Sequence, residues 1–141
     1  MGTRHAALFD ATTTGTAQMK ITLLTDDSIR LEQDGGPMTI EAPSADVVYS
    51  AFQMLASGLA FCTDSVVRSW ASNAGVPADD LTIEVNWTFA DKPHRVDRME
   101  VKLSWPSLPE QRVAAAERVA SLCGIHSTLT HSPELVTKIE R

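Results

Sequence analysis

The stretch from Tyr49 to Ala74, YSAFQMLASGLAFCTDSVVRSWASNA, constrains the fold most, because it carries the longest apolar periodicity in the chain. Val48, Phe52, Leu55, Leu59, Cys62 and Val66 follow one another at alternating steps of four and three, which is one face of a helix. Cys62 is therefore expected on the buried stripe, near the middle of a central helix. Ala56, Ser57, Gly58 and Ala60 present little side chain just before it, so another helix can approach the backbone closely.

Two starts fit this helix. Ser44 caps one, with Asp46 favourably placed in its first turn, after Pro43 has broken the preceding pattern. Ser50 and Gln53 have the spacing of a capping box and predict a start at Ala51 instead. The end is expected near Asn73 to Gly75, where glycine suits a left-handed cap and Pro77 follows.

On either side of this helix the pattern switches to a period of two. Met19, Ile21 and Leu23 alternate, Asp26-Asp27-Ser28 interrupts, Ile29 and Leu31 resume, and Asp34-Gly35-Gly36-Pro37 turns the chain toward Met38 and Ile40. The expectation is a three-stranded meander, preceded by a first strand or loose arm around Ala6 to Phe9. Beyond the helix, Leu81, Ile83, Val85, Trp87 and Phe89 alternate with polar residues, and Met99, Val101, Leu103 and Trp105 do the same. The polar stretch Ala90 to His94 begins the connection of a hairpin with one covered face and one wet one. Ser107 and Glu110 then open a second helix over Leu108 to Cys123, with Cys123 pointing inward at its end and Gly124 stopping it. Leu135, Thr137 and Ile139 suggest a closing strand. The order is βββ, long α, ββ, α, β: an α+β fold in one domain spanning residues 1–141.

Composition narrows the functional classes. With 141 residues, 43% hydrophobic and 21% charged, the chain fits one globular core. No apolar run approaches the roughly 20 residues of a membrane span, and the first residues lack the apolar block of a signal peptide, so the expected compartment is the cytoplasm. A net charge of −6 without a cationic cluster argues against nucleic acid and anionic membranes as partners. Two cysteines are too few for a secreted disulfide framework.

One cysteine within a long helix and another closing a second helix resemble the OsmC/Ohr family, the osmotically inducible protein C and organic hydroperoxide resistance proteins. The resemblance rests on Ala56-Ser57-Gly58-Leu59-Ala60-Phe61-Cys62, on Gly75 to Leu81 at the turn into the next strand, and on Cys123-Gly124-Ile125-His126-Ser127-Thr128-Leu129. It covers roughly residues 45 to 141. It implies an interlaced homodimer with the long helices buried centrally and active sites at the subunit interface. It also implies thiol peroxidase chemistry without a cofactor or metal. Cys62 matches the attacking cysteine and Cys123 the resolving one, with an organic hydroperoxide as substrate and an external thiol or dithiol as reductant. The attacking group is a thiolate, so its surroundings have to offset burial.

Two positions depart from the family pattern. Gln53, nine residues before Cys62, stands where many relatives carry glutamate, and Gly124 stands where the second signature usually has proline. The family's activating arginine comes from the N-terminal strand region, where this chain has Arg4 and Arg30; Arg68, about two turns beyond Cys62, is a candidate substitute. Plainer readings stand beside these. A cysteine on an apolar stripe is commonly a small core residue. Cys123, His126 and His131 form a marginal zinc set, and His126 also suits a structural place near a helix end. His5 and His94 read as surface residues, and Asp26-Asp27 and Asp79-Asp80 as turn chemistry. Trp70, Trp87 and Trp105 read as core or interface filling. Two functions emerge: a thiol-dependent peroxidase, and a catalytically weakened dimer that binds a small apolar ligand or partner at its interface pocket.

Overall fold

The computed structural model describes residues 18–25, 27–34, 39–41 and 50–141. The first-strand expectation at Ala6 to Phe9, the helix start at Ser44, and Arg4, His5, Asp26 and Val48 lie outside the described residues.

Among the described residues five strands form one sheet: β1 (Gln18–Thr25), β2 (Ser28–Asp34), β3 (Thr39–Glu41), β4 (Thr82–Asp91) and β5 (His94–Ser104), in the order β3-β1-β2-β4-β5. β1 and β2 form a hairpin in which Ile21 faces Leu31 and Leu23 faces Ile29. The expected meander is corrected at its third strand. β3 lies on the far side of β1 and runs parallel to it, with Ile21 opposite Ile40. Residues 35–38 are too few to signal this in sequence, because the choice of edge is made by pairing across the sheet.

The β4–β5 hairpin follows the expected alternation, pairing Ile83 with Leu103, Val85 with Val101 and Trp87 with Met99. The rhythm breaks after Thr88, where the register shifts and Phe89 becomes exposed. The extra residue is Asp97 on β5, between the partners of Thr88 and Phe89.

The central helix, α1 (Ala51–Ala74), is 24 residues long, or about 36 Å at helical rise. Its N-terminus is the capping box: the Ser50 hydroxyl accepts from the Gln53 backbone N–H at 3.2 Å, and Gln53 Oε1 accepts from the Ser50 N–H at 2.7 Å. At the other end Gly75 adopts φ 67° and ψ 30°, where a Cβ would be strained.

The buried face of α1 is not the predicted one. Gln53, Ala56, Ser57, Leu59, Ala60, Thr63, Asp64, Val67 and Ala71 are buried where the helix packs on β2, β4 and the short helices, so of the predicted stripe only Leu59 goes fully inside among the described residues. Phe52, Cys62 and Val66 are only half-buried and Leu55 is exposed. The small side chains let the helix settle close on the sheet against Ile29, Leu31, Ile83 and Val85, all with no exposed surface. Phe52, Leu55, Cys62 and Val66 are left roughly 140° round the helix from the small-residue face.

The second helix is also corrected. A short 3₁₀ turn, Glu110–Arg112, leads into α2 (Val113–Ala120), which ends before Cys123. Gly124 does not stop a helix; it begins α3 (Gly124–Thr130), and Cys123 is its N-cap. Both short helices pack against α1. The closing strand over Leu135, Thr137 and Ile139 is absent. Residues 132–141 have no regular structure, and Leu135 and Ile139 are each 88% exposed.

Candidate active site

The two cysteines, 61 positions apart in sequence, meet where α1 contacts the α2–α3 junction. Both are free thiols. Cys62 is half-buried and Cys123 has no exposed surface. The Cys123 sulfur accepts the backbone N–H of His126 at 3.4 Å, as an N-cap oxygen does more commonly.

Burial pushes the Cys123 thiol above its ordinary range, and its hydrogen bond to Cys62 and the charge on that sulfur push the same way. Backbone N–H groups of His126 and Ile125 pull it down by less.

The candidate supporting residues are placed elsewhere, apart from His126. Gln53 is buried in the capping box and also donates through Nε2 to the Thr25 carbonyl at 3.5 Å, tying the start of α1 to the end of β1. It precedes Cys62 by nine residues, about 13 Å along the helix. Arg30 sits on the sheet face opposite α1, because its neighbours Ile29 and Leu31 point at the helix. There it donates to Glu84 at 3.2 Å across the β2–β4 pair. The hydrogen bonds of Glu84 with Asn86 and Arg30 hold its carboxyl below the usual range. Arg68 donates through Nε to Asp64 at 2.8 Å, through Nη1 to the Ala78 carbonyl at 2.6 Å and through Nη2 to the Leu81 carbonyl at 3.1 Å. It pins the α1–β4 connection. His126 alone of the four lies beside a cysteine.

Next to the thiols a cavity of about 880 Å³ opens between α1, β5 and the α2–α3 pair. Leu59 and Thr63, on either side of Cys62, line it, as do Ala120 and His126 on either side of Cys123. The cysteines themselves lie behind this wall. Met99, Val101, Leu103 and Trp105 make the opposite side, which their alternation in sequence foreshadows. At the far rim His94 stacks on Phe89 with centroids 5.0 Å apart, and Phe52 meets both rings edge-on. The histidine read as a surface residue is thus exposed but fixed in an aromatic cluster.

Asp64, two residues after Cys62, is a buried carboxylate that sequence reasoning missed; its i, i+4 spacing to Arg68 was the available signal. Of the tryptophans, Trp87 lies in the core, while Trp70 and Trp105 meet edge to face at 6.3 Å and Trp105 Nε1 donates to the Pro77 carbonyl. Asp80 accepts from both the N–H and the hydroxyl of Ser107, as turn chemistry implies. The His131 ring sits against Ser127 and Thr130, and among the described residues no cluster of three potential metal ligands is formed.

The family is decided by a family model, that of OsmC-like protein, which matches residues 44–138. The chain belongs to the OsmC-like family. Its fold is also the OsmC-like one. An osmotic stress induced and detoxification response protein from Psychrobacter arcticus 273-4 superposes with a TM-score of 0.55 at 20% identity, over 81% of this chain and 88% of that one. An OsmC-like hydroperoxide resistance protein from Jannaschia sp. CCS1 superposes with a TM-score of 0.53 at 19% identity, over 81% and 83%. At these identities the likeness shows the fold alone. A comparison with curated proteins found no match. Among the described residues of this OsmC-like chain, no helix is long and apolar enough to cross a membrane.

Proposed function

We propose that this OsmC-like chain is a thiol-dependent peroxidase that reduces organic hydroperoxides through Cys62 and Cys123. The observation that carries the reading is the juxtaposition of two free thiols delivered by separate helical elements, near enough for Cys62 to help hold the Cys123 thiol above its ordinary range. The Cys62 thiolate attacks the outer peroxide oxygen; the S–O bond forms, the O–O bond breaks, and the departing alkoxide takes a proton from water and leaves as the alcohol. The resulting sulfenic acid condenses with Cys123 to a disulfide and water. An external thiol or dithiol then restores both cysteines. The apolar cavity beside the thiols suits the organic part of such a peroxide.

The working form is a cytoplasmic homodimer with the site at the subunit interface. Large apolar side chains remain open in the single chain, Met54 and Leu55 on α1, Leu122 and Leu129 around α3, and the tail residues Leu135, Val136 and Ile139. A second copy covering them removes that surface from water.

A second reading, a weakened relative that binds a small apolar ligand or partner in the cavity, draws on the arginines. Arg30 and Arg68 are both engaged away from the thiols. Thiol titration of reduced protein before and after one equivalent of cumene hydroperoxide, and separately of hydrogen peroxide, separates the two. The peroxidase loses both thiols rapidly with the organic peroxide, and Cys62→Ser abolishes the loss. Survival of both thiols selects the binding protein.

A further inference from the structure

Resting on the thiol peroxidase reading, we infer that His126 is the proton-transfer group of the resolving step, taking the thiol proton from Cys123 and delivering it to the hydroxide displaced from oxidised Cys62. Three observations converge on it. The Cys123 sulfur has no exposed surface, so bulk water does not reach its proton. His126 is the third residue of the helix that Cys123 caps, and its backbone N–H already bonds that sulfur at 3.4 Å. Its side chain is half-buried and lines the 880 Å³ cavity, which gives the imidazole a route to solvent for exchanging protons.

The other supporting candidates do not serve. Arg30 and Arg68 are engaged elsewhere, and Gln53 carries no ionisable group. Imidazole is the side chain that both accepts and releases a proton near neutral pH. The ionisable groups around it are the two cysteines, Glu117 on α2, His131 at the end of α3, and His94, Arg95, Asp97 and Arg98 from β5 across the cavity. Glu117 belongs to α2, whereas His126 shares the helix that holds the sulfur.

The step balances. The S–H bond of Cys123 breaks and the proton passes to the neutral imidazole. The Cys123 thiolate forms the disulfide bond as the S–O bond of the Cys62 sulfenic acid breaks. The departing hydroxide takes the proton from the imidazolium and leaves as water, and His126 returns to its neutral form. Cys123 is oxidised and the Cys62 sulfenic acid reduced.

A peroxide-free version of the step tests the assignment on the full chain. Ellman's reagent, the aromatic disulfide DTNB, first converts the more exposed Cys62 to a mixed disulfide with release of one thiolate. Attack by Cys123 then releases a second, in a phase independent of reagent concentration. In His126→Ala the first phase is unchanged and the second slows about a hundredfold. Added imidazole restores the rate. His126→Gln, which keeps a polar side chain on α3, shows the same slow second phase. An unchanged second phase in both variants, a slowed phase that imidazole does not rescue, or release of a single equivalent by the unmodified protein overturns the inference. The peroxidase reading fails separately, if the unmodified protein completes both DTNB phases yet keeps its thiols in cumene hydroperoxide.

Discussion

The Nε of Arg68 donates to Oδ1 of Asp64 at 2.8 Å, one turn back along α1, and Asp64 has no exposed surface. The same guanidinium holds the carbonyls of Ala78 and Leu81, so a single ion pair joins the helix that carries Cys62 to the connection leading into β4. The second carboxylate oxygen, Oδ2, has no hydrogen-bond partner. Truncating Arg68 to alanine strands a buried carboxylate and frees two carbonyls. The expected loss is about 3–5 kcal/mol by urea unfolding, the usual cost of removing one member of a buried pair. A loss below 1 kcal/mol would mean that the pair is accessible to water.

Asp64 also sets a pH dependence. Burial raises its carboxyl above the ordinary value by more than the charge and hydrogen bond of Arg68 lower it. The folded chain therefore holds that proton more tightly than the unfolded chain does. The contribution of Asp64 to stability is present below the unfolded value of roughly 3.9 and is lost as pH rises through the folded value. In Asp64→Asn that decline is missing, and the difference in stability between the two proteins changes with pH above about 4. Parallel unfolding profiles from pH 4 to 8 would contradict this.

Asp80 carries the opposite sign. Its hydrogen bonds with the Ser107 hydroxyl and backbone N–H hold the carboxyl below the usual range. Its stabilising effect is present above the unfolded value and disappears as pH falls through the folded one. Asp80→Ala lowers the thermal midpoint at pH 7, and the gap from the unsubstituted protein narrows at the lowest pH that both survive.

At the head of α1, Ser50→Ala removes a side chain that satisfies one N–H of the first turn. The expected cost is about 1 kcal/mol. Gln53→Ala costs more, because it releases both the Ser50 N–H and the Thr25 carbonyl, within a buried site. Thermal denaturation of the two variants gives the order directly, and equal losses would mean that the Thr25 contact contributes nothing.

The open apolar surface gives an assembly prediction. Sedimentation at micromolar concentration finds a dimer, and replacing Leu135 and Ile139 with serine, both nearly free of contacts in the single chain, shifts it toward monomer without altering the circular dichroism of the fold. A monomeric unsubstituted protein would remove the subunit-interface site from the proposed function.

The two candidate cysteines could be picked out from spacing because their signals are local. A cysteine in the middle of a periodic stretch, and a second just before a glycine and three residues from a histidine, are readable from a handful of neighbours. What each supporting residue does was not legible. Arg68 sits on the same helix as Cys62, yet its side chain points round to the α1–β4 connection because the buried Asp64 and two bare carbonyls attract a guanidinium there. Arg30 was lost to the site by strand alternation, once Ile29 and Leu31 had been drawn to the helix.

Sequence alone determined the long helix and its glycine end, the β1–β2 and β4–β5 hairpins, and the α+β class, with the Ser50 capping box as one of two starts, since capping and alternation act over two to four residues. Only the tertiary structure decided that β3 joins the far edge of β1, that Cys123 starts a helix rather than ending one, and that the tail stays free of the sheet. It also decided which face of α1 goes inside. Periodicity counts large apolar residues, whereas close packing on a sheet favours small ones. Ala56, Ser57 and Ala60 therefore took the interior, and the stripe bearing Cys62 was left toward the cavity and the second thiol.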